Sequence, residues 1–338
     1  MHFLAEYGLF LAKTITVLIA ILLILGKIIS AKSADKDSSD ITIKKLNEDF
    51  SSLQKKLQDT TLEKKAFKQW LKQQDSNSKE TKNKTSKDAD TAKPRLFILK
   101  FKGDMQAHQV DSLRREVTAT LLCATTQDKV LVCVESPGGV VPGYGLAASQ
   151  LARIRNANIH LTVAVDKVAA SGGYMMASVA NTIVAAPFAI IGSIGVIAQL
   201  PNFHRLLEKN DVDYEQITAG QYKRTLTVFG ENTDEGRDKM QQEIDLTHDL
   251  FKDHIQQYRP DLDMDSVATG EYWYGTQALS LNLIDNIQTS DDYILEQRDQ
   301  CDLFLIQYKM KVPPIKKLLQ QAQACWHQFR EQGILIKK

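Results

Sequence analysis

The sequence predicts an α/β body with appendages at both ends, and three observations carry that reading. From Arg95 to Ala186, short β-branched apolar runs alternate with stretches of helical apolar spacing, which is the pattern of an α/β fold. The body also holds turns dense in small residues: Ser136-Pro137-Gly138-Gly139, Ser171-Gly172-Gly173 and Gly192-Ser193-Ile194-Gly195. Ahead of Arg95 the composition shifts, first to an apolar run and then to a long polar stretch.

With 43% hydrophobic and 25% charged residues in 338, the chain has the composition of a globular protein. A net charge of +1 gives no reason to expect a nucleic-acid partner. The four cysteines, Cys123, Cys133, Cys301 and Cys325, show no C-x-x-C spacing. They read as ordinary core or surface residues, the first two in segments that look buried, and imply neither metal site nor disulfide frame. No cofactor is expected.

Residues 1–30 read as an N-terminal membrane anchor with its span at about 10–29, interrupted only by Lys13 and Lys27 near the ends, where lysines snorkel. A cleaved signal peptide fits less well, because no Lys or Arg precedes Lys13 and only Ala31-Lys32-Ser33 resembles a cleavage site. Lys27, Lys32, Lys36, Lys44 and Lys45 follow the span, so the positive-inside rule leans toward a cytoplasmic body. Residues 31–73 read as a charged stalk helix. Its apolar positions Leu46, Phe50, Leu53 and Leu57 step 4-3-4, and Phe67 and Leu71 resume the register. Such a stripe suits a self-pairing coil and a solvated stalk equally. Residues 74–94, almost wholly Lys, Asp, Ser, Thr, Asn, Gln and Glu, read as a disordered linker.

The body follows at 95–310. Arg95–Phe101, Lys129–Glu135, His160–Val165 and Asn181–Ala186 read as strands, and Asp111–Cys123 and Tyr144–Ile154 as helices. Two stretches imitate other things. Ile183–Leu200 carries no charge, yet Pro187, Gly192 and Gly195 break it, so short buried strands fit better than a second span. Gly143-x-Gly145-x-x-Ala148 matches a dinucleotide fingerprint, but Ser136–Pro142 separates it from its strand, where a nucleotide fold would place the glycines directly. Residues 311–338 read as a C-terminal element with an amphipathic helix at Leu318–Ile334 bearing Trp326 and Phe329.

Chemistry concentrates at Ser171. It stands between a strand and a small-residue helix, where free N–H groups and the helix dipole favour negative charge. Local sequence leaves two readings open, a nucleophile and a simple N-cap. Among possible bases, His2, His108, His160, His204, His248, His254 and His327 are scattered with no constrained setting. A lysine serves instead where burial brings its amine down from about 10.4. Lys167 sits beside Asp166 and reads as charged and solvated. Lys223 follows an expected strand at Tyr214–Ile217, where the Ala219-Gly220 turn and Tyr222 offer a partly apolar setting.

Four motifs in this order, Ser136–Gly139, Ala170–Tyr174, Gly192–Gly195 and Tyr222-Lys223, resemble the signal peptide peptidase A family of serine–lysine proteases. The likeness is strongest to its short, single-unit SohB-type branch. It extends over Arg224–Leu226, Gly230-Glu231-Asn232 and Gly270–Asp285, with Asn282 standing where such folds usually have glycine. The resemblance implies a ClpP/crotonase-like domain of stacked ββα units. It makes Ser171 the nucleophile and Lys223 the general base. Gly172 with Gly138 or Gly139 would form the oxyanion hole, and Gly192, Ser193, Ile194 and Gly195 would line an extended substrate. It further implies a bacterial inner-membrane endopeptidase acting on hydrophobic peptide segments, such as signal-peptide remnants or misfolded membrane proteins. The lipid bilayer and further copies of the chain are its expected partners, in rings whose sites are completed across subunits. The competing readings are a catalytically silent scaffold of the same fold and a crotonase-type acyl-CoA enzyme, which would not need Lys223.

Overall fold

A computed structural model describes residues 8–11, 13–18, 41–85 and 93–308. The chain divides into two units, Met1–Asp40 with Lys309–Lys338, and Ile41–Tyr308. In the first unit, residues 8–11 and 13–18 are helical with exposed side chains. Among the described residues no helix is long and apolar enough to cross a membrane. Most of the expected span, and all of the expected C-terminal helix, lie outside the described residues.

The second unit opens with β1 (Ile41–Lys45), α1 (Leu46–Thr61) and α2 (Lys64–Thr85). There follow β2 (Arg95–Lys102), α3 (Val110–Leu121), β3 (Lys129–Glu135), α4 (Val141–Asn156) and β4 (His160–Val165). Next come β5 (Val168–Ala170), α5 (Gly172–Ala177), β6 (Thr182–Ala185) and β7 (Ile190–Gly192). The chain continues with α6 (His204–Lys209), α7 (Asp234–Tyr258), α8 (Met264–Val267) and β8 (Tyr272–Tyr274). It closes with α9 (Gly275–Ser280), β9 (Asn286–Ile287), α10 (Ser290–Gln297) and β10 (Asp302–Tyr308).

Seven strands form one mixed sheet in the order β1-β10-β2-β3-β4-β6-β9, parallel throughout except for β1 against β10. Both faces are covered, which is why its central strands are apolar almost without interruption. Leu99, Val132 and Val163 belong to one core, shared with Leu113 and Val117 of α3 and Leu151 and Ile154 of α4. Leu96, Ile98 and Leu131 belong to the other, with Ile294 of α10 and, from α1, Leu46 and Phe50. A second sheet, β5-β7-β8, lies beyond the first. β4 and β6 lie in the large sheet, and β5 and β7, which follow them, lie in the small one. A bridge between Ser136 and Ala169 ties the end of β3 to the same small sheet.

The Ile183–Leu200 stretch does form short buried strands, β6 and β7, and Gly143–Ala148 lies inside α4. Cys133 and Cys301 are largely enclosed, whereas Cys123 stands exposed just past α3, against the expectation that it is buried.

Two expectations about the stalk need correction. Residues 41–45 are not helical but form an edge strand, paired in register from Ile41↔Tyr308 to Lys45↔Phe304. The partner lies at the far end of the chain, so no local pattern reveals it. Asn47 then fastens α1 to the body: its side-chain NH2 donates to the carbonyls of Arg298 and Cys301, both at 3.1 Å, and its Oδ1 accepts from the Leu303 N–H at 2.7 Å. Leu53 and Leu57 remain exposed beyond this anchorage. The second correction concerns 74–94. Helix α2 runs to Thr85, because Lys, Gln and Glu sustain a helix without any apolar face. Residues 86–92 lie outside the described residues.

Asp128 secures the start of the β2–β3 pair, accepting from the Arg95 guanidinium at 2.6 Å and from the N–H groups of Arg95 and Thr125 at 2.8 and 2.7 Å. Burial alone would raise this carboxyl. Arg95 and the amides outweigh burial and bring it down to about 2. A carboxyl whose folded value lies below its unfolded one stabilises the fold above about pH 4, and that contribution disappears as pH falls toward 2. Asp128→Ala is therefore expected to cost about 2–3 kcal/mol at pH 7, with the gap from wild type closing below pH 4 in urea melts. Asn47→Ala is expected to cost about 2 kcal/mol and to speed amide exchange in β1 and α1 ahead of the β2–β4 amides.

Candidate active site

Ser171 ends β5 and precedes α5 with φ 51 and ψ −119. A serine there is strained by about 1–3 kcal/mol, a strain that persists only where the surroundings impose it. They do so through the small sheet. Ser171 donates its N–H to the Gly192 carbonyl at 2.8 Å, and Ala170 donates to the Ser136 carbonyl at 3.0 Å. The Ser171 hydroxyl does not cap the helix it precedes, so the simple N-cap reading fails on geometry.

The serine opens onto a cavity of about 850 Å³ lined by Gly138, Gly139, Gly172, Ser193 and Gly195. Three of the four expected site segments thus meet in one cleft, with apolar walls that include Val140, Met175, Val196, Ile244 and Phe251. Gly138 has φ +89, and a Cβ there would come within 2.7 Å of the Ser171 Cβ. Only glycine lets the two turns approach this closely. The Gly138 N–H is engaged, donating to Ser136 Oγ at 3.1 Å. The N–H groups of Gly139 and Gly172 make no hydrogen bond among the described residues. Of the three glycines expected at an oxyanion hole, Gly138 is thus excluded as a free donor and serves through close approach instead. In such a cleft a hydroxyl can attack a carbonyl carbon while free N–H groups receive the resulting oxyanion.

Ile194 is buried, and its carbonyl lies 3.2 Å from His248 Nε2 on α7. Ser193 has φ 51 and donates its N–H to the Glu271 carbonyl at 2.6 Å. His254, six residues further along α7, is held at 3.0 Å from the Met175 carbonyl, and burial lowers its imidazole below its ordinary value. Nothing in the sequence marks these two histidines; the packing of α7 brings His248 into the cleft lining and His254 against the Met175 carbonyl. Asn282 has φ 58, the left-handed backbone that explains why glycine is usual there. Lys167 pairs at the surface with Glu135 at 3.4 Å rather than with Asp166, which accepts from Ser290.

Lys223 departs from expectation. No strand forms at 214–217, and Lys223 is exposed on a loop. Its N–H donates to the Gly220 carbonyl at 3.1 Å, with Gly220 at φ +95. It lines a different cavity, of about 670 Å³, with Leu200, Tyr214, Ile217 and Phe229. Within one chain it is not part of the Ser171 cleft. The 214–217 run has strand composition, but finds no partner strand among the described residues.

The fold and cleft define an α/β protein with a strained serine turn that shares one cleft with Gly138, Gly139 and Gly172. The chain belongs to peptidase family S49. The model described as "Peptidase family S49 N-terminal" matches residues 2–151 and the model "Peptidase family S49" matches residues 153–303. It is similar to the "Probable protease SohB" of Haemophilus influenzae, at 48% identity over 95% of this chain and 93% of that protein. It is also 47% identical to the "Probable protease SohB" of Buchnera aphidicola subsp. Schlechtendalia chinensis, over 88% of this chain and all of that one. A solved structure of a membrane-bound stomatin-specific protease overlaps 61% of this chain and 86% of its own at 15% identity and a TM-score of 0.41, too loose a match to argue from.

The glycine requirement is testable in pairs. A Cβ on Gly172 would overlap the Tyr144 ring, whereas one on Gly145 meets nothing within 4 Å. In thermal melts Gly172→Ala is expected to destabilise by about 1–3 kcal/mol, and Gly145→Ala, inside α4, to stabilise by about 0.5–1 kcal/mol.

Proposed function

We propose that this chain is a membrane-anchored serine endopeptidase with a ClpP/crotonase-like body, whose nucleophile is Ser171 and whose general base is Lys223. The observation that carries the proposal is the Ser171 turn: a strained serine whose hydroxyl caps no helix, in one cleft with Gly139 and Gly172, whose N–H groups make no hydrogen bond among the described residues. Ser171 Oγ attacks the scissile carbonyl while its proton passes to the neutral Lys223 amine. The oxyanion rests on the two glycine amides. Collapse expels the amine product, which takes the proton, and water then enters by the same route to release the acyl group and restore Ser171.

Because Lys223 lies outside the Ser171 cleft of its own chain, the dyad is proposed to form between copies, with Lys223 supplied by a neighbour. The segment from residue 197 to 229 supports this, since Ile197, Leu200, Phe203, Leu206, Val212, Ile217 and Phe229 are all exposed. Concentrated apolar exposure of this kind marks an association surface. The apolar cleft walls suit extended hydrophobic peptides, with the Ser193–Gly195 segment alongside. Anchoring in a bacterial inner membrane rests on the apolar composition of residues 10–29.

The test is labelling of the detergent-solubilised protein with a fluorophosphonate. Wild type is expected to label at Ser171, and Ser171→Ala and Lys223→Ala each to lose labelling and peptidase activity by at least about 100-fold. Mixing the two inactive variants under conditions that allow subunit exchange is expected to restore activity. Full activity in Lys223→Ala would remove the dyad, and absence of Ser171 labelling in a folded oligomer would favour the silent scaffold.

A further inference from the structure

Behind the Ser136–Gly139 turn runs a buried chain of hydrogen bonds with a definite direction. The Tyr144 hydroxyl donates to the Asp104 carbonyl at 2.8 Å. Its oxygen is therefore left to accept from Ser136 Oγ, 2.5 Å away. Ser136 Oγ in turn accepts from the Gly138 N–H at 3.1 Å. The sequence from Gly138 N–H through Ser136 and Tyr144 to Asp104 C=O uses each hydroxyl proton once. Both side chains are fully buried. Burial raises the Tyr144 phenol, against the smaller opposite pull of Ser136, and the phenol stays protonated through the neutral range.

The neighbours of this pair are shaped around it. A Cβ on Gly103 would overlap both hydroxyls, and one on Gly173 would come within 2.6 Å of the Ser136 carbonyl oxygen. The Tyr144 ring also fills the space against Gly172, and Phe101 meets it edge-on with centroids 6.3 Å apart. On its backbone side Ser136 donates to the Val168 carbonyl at 2.8 Å and accepts from Ala170 at 3.0 Å. One residue thus grips the strand that leads into Ser171 with its main chain and the Gly138 amide with its side chain. Each hydroxyl proton is committed within this chain of hydrogen bonds, that of Ser136 to Tyr144 and that of Tyr144 to the Asp104 carbonyl.

We infer that Ser136 and Tyr144 are positioning residues that hold the Gly138–Gly139 turn in register with Ser171, setting the Gly139 N–H where the oxyanion forms. The inference rests on the proposed serine mechanism. A buried polar pair of purely structural value predicts something different: its loss leaves the Gly138 N–H and the Asp104 carbonyl unpaired and lowers stability, and reactivity then tracks stability alone. A positioning pair predicts a loss of reactivity in a protein that remains folded. An amide displaced by a fraction of an ångström loses most of its value to a transition state.

The experiment compares fluorophosphonate labelling rates and turnover of a short fluorogenic peptide for wild type, Ser171→Ala, Tyr144→Phe, Ser136→Ala and the Tyr144→Phe/Ser136→Ala double variant, all as full chain. Tyr293→Phe is the control. It makes the same chemical change at another hydroxyl pair, Tyr293 with Thr162 at 3.0 Å on the opposite face of the sheet. Tyr144→Phe and Ser136→Ala are each expected to label about 10- to 100-fold more slowly, with kcat falling in step and KM within about twofold of wild type. The double variant is expected to be no slower than the worse single variant, as members of one network are non-additive. Tyr293→Phe is expected to retain the wild-type rate. Wild-type labelling by a folded Tyr144→Phe, or equal losses in Tyr144→Phe and Tyr293→Phe, would overturn the inference while leaving the serine mechanism intact. Labelling of wild type that survives Ser171→Ala would overturn the mechanism and the inference together.

Discussion

Ser171 donates its N–H to Gly192 while Ala170, one residue earlier, donates to Ser136, and these two hydrogen bonds relate three loop tips that are distant in sequence. Each tip follows a strand, and each strand belongs to one stacked step of the fold. The register Ala170↔Gly192 sets where the serine sits along the Gly192–Gly195 segment. The Ser136↔Ala169 bridge sets where the glycine amides sit relative to the serine. The large sheet supplies rigidity, but the small one supplies alignment. A φ of 51 at Ser171 can be sustained because the strand pairing on both sides leaves the residue no relaxed alternative.

Packing around the cleft then follows from the absence of side chains. Gly103, Gly138, Gly172 and Gly173 each occupy a place where a Cβ would intrude on Ser136, Tyr144 or Ser171. The space those glycines leave is filled by a tyrosine ring and two hydroxyls, not by solvent. A polar pair in that position satisfies the Gly138 amide and the Asp104 carbonyl, which an apolar filler would leave unpaired at about 1–3 kcal/mol each. The site is therefore stiff on the side of the amides. It is open on the side of Val196 and Ile197, where the chain leaves regular structure.

Local patterns in the sequence were enough to place the central strands. Lys129–Glu135 and His160–Val165 form where their uninterrupted β-branched runs predict. The glycine turns were equally legible, because few residues other than glycine allow such close approach of backbones. What local pattern cannot show is pairing between distant segments. Residues 41–45 become a strand only because β10 offers an edge more than 250 residues later. The hydroxyl chain from Gly138 to Asp104 was hidden for the same reason, since Ser136 and Tyr144 look like a turn serine and a helix tyrosine until α4 is laid against the turn. Tyr214–Ile217 failed in the opposite sense. Its composition is that of a strand, but strand composition produces a strand only where a partner edge exists.

That failure bears on how the site is divided. The cleft with Ser171 is lined chiefly by residues between Pro137 and Ile197 and by α7. The segment carrying Lys223 has few enclosed side chains, and Ile217 is 95% exposed. A chain that merely needed a nearby lysine would gain by packing it into the cleft, where burial would favour its neutral form. Here the lysine is presented outward in a segment whose apolar side chains are largely exposed among the described residues. In the proposed mechanism, association would bury that apolar surface and desolvate the amine in one step. A base of this kind is useful only in the assembled protein, so an isolated chain, correctly folded, would hold a strained serine without the means to deprotonate it.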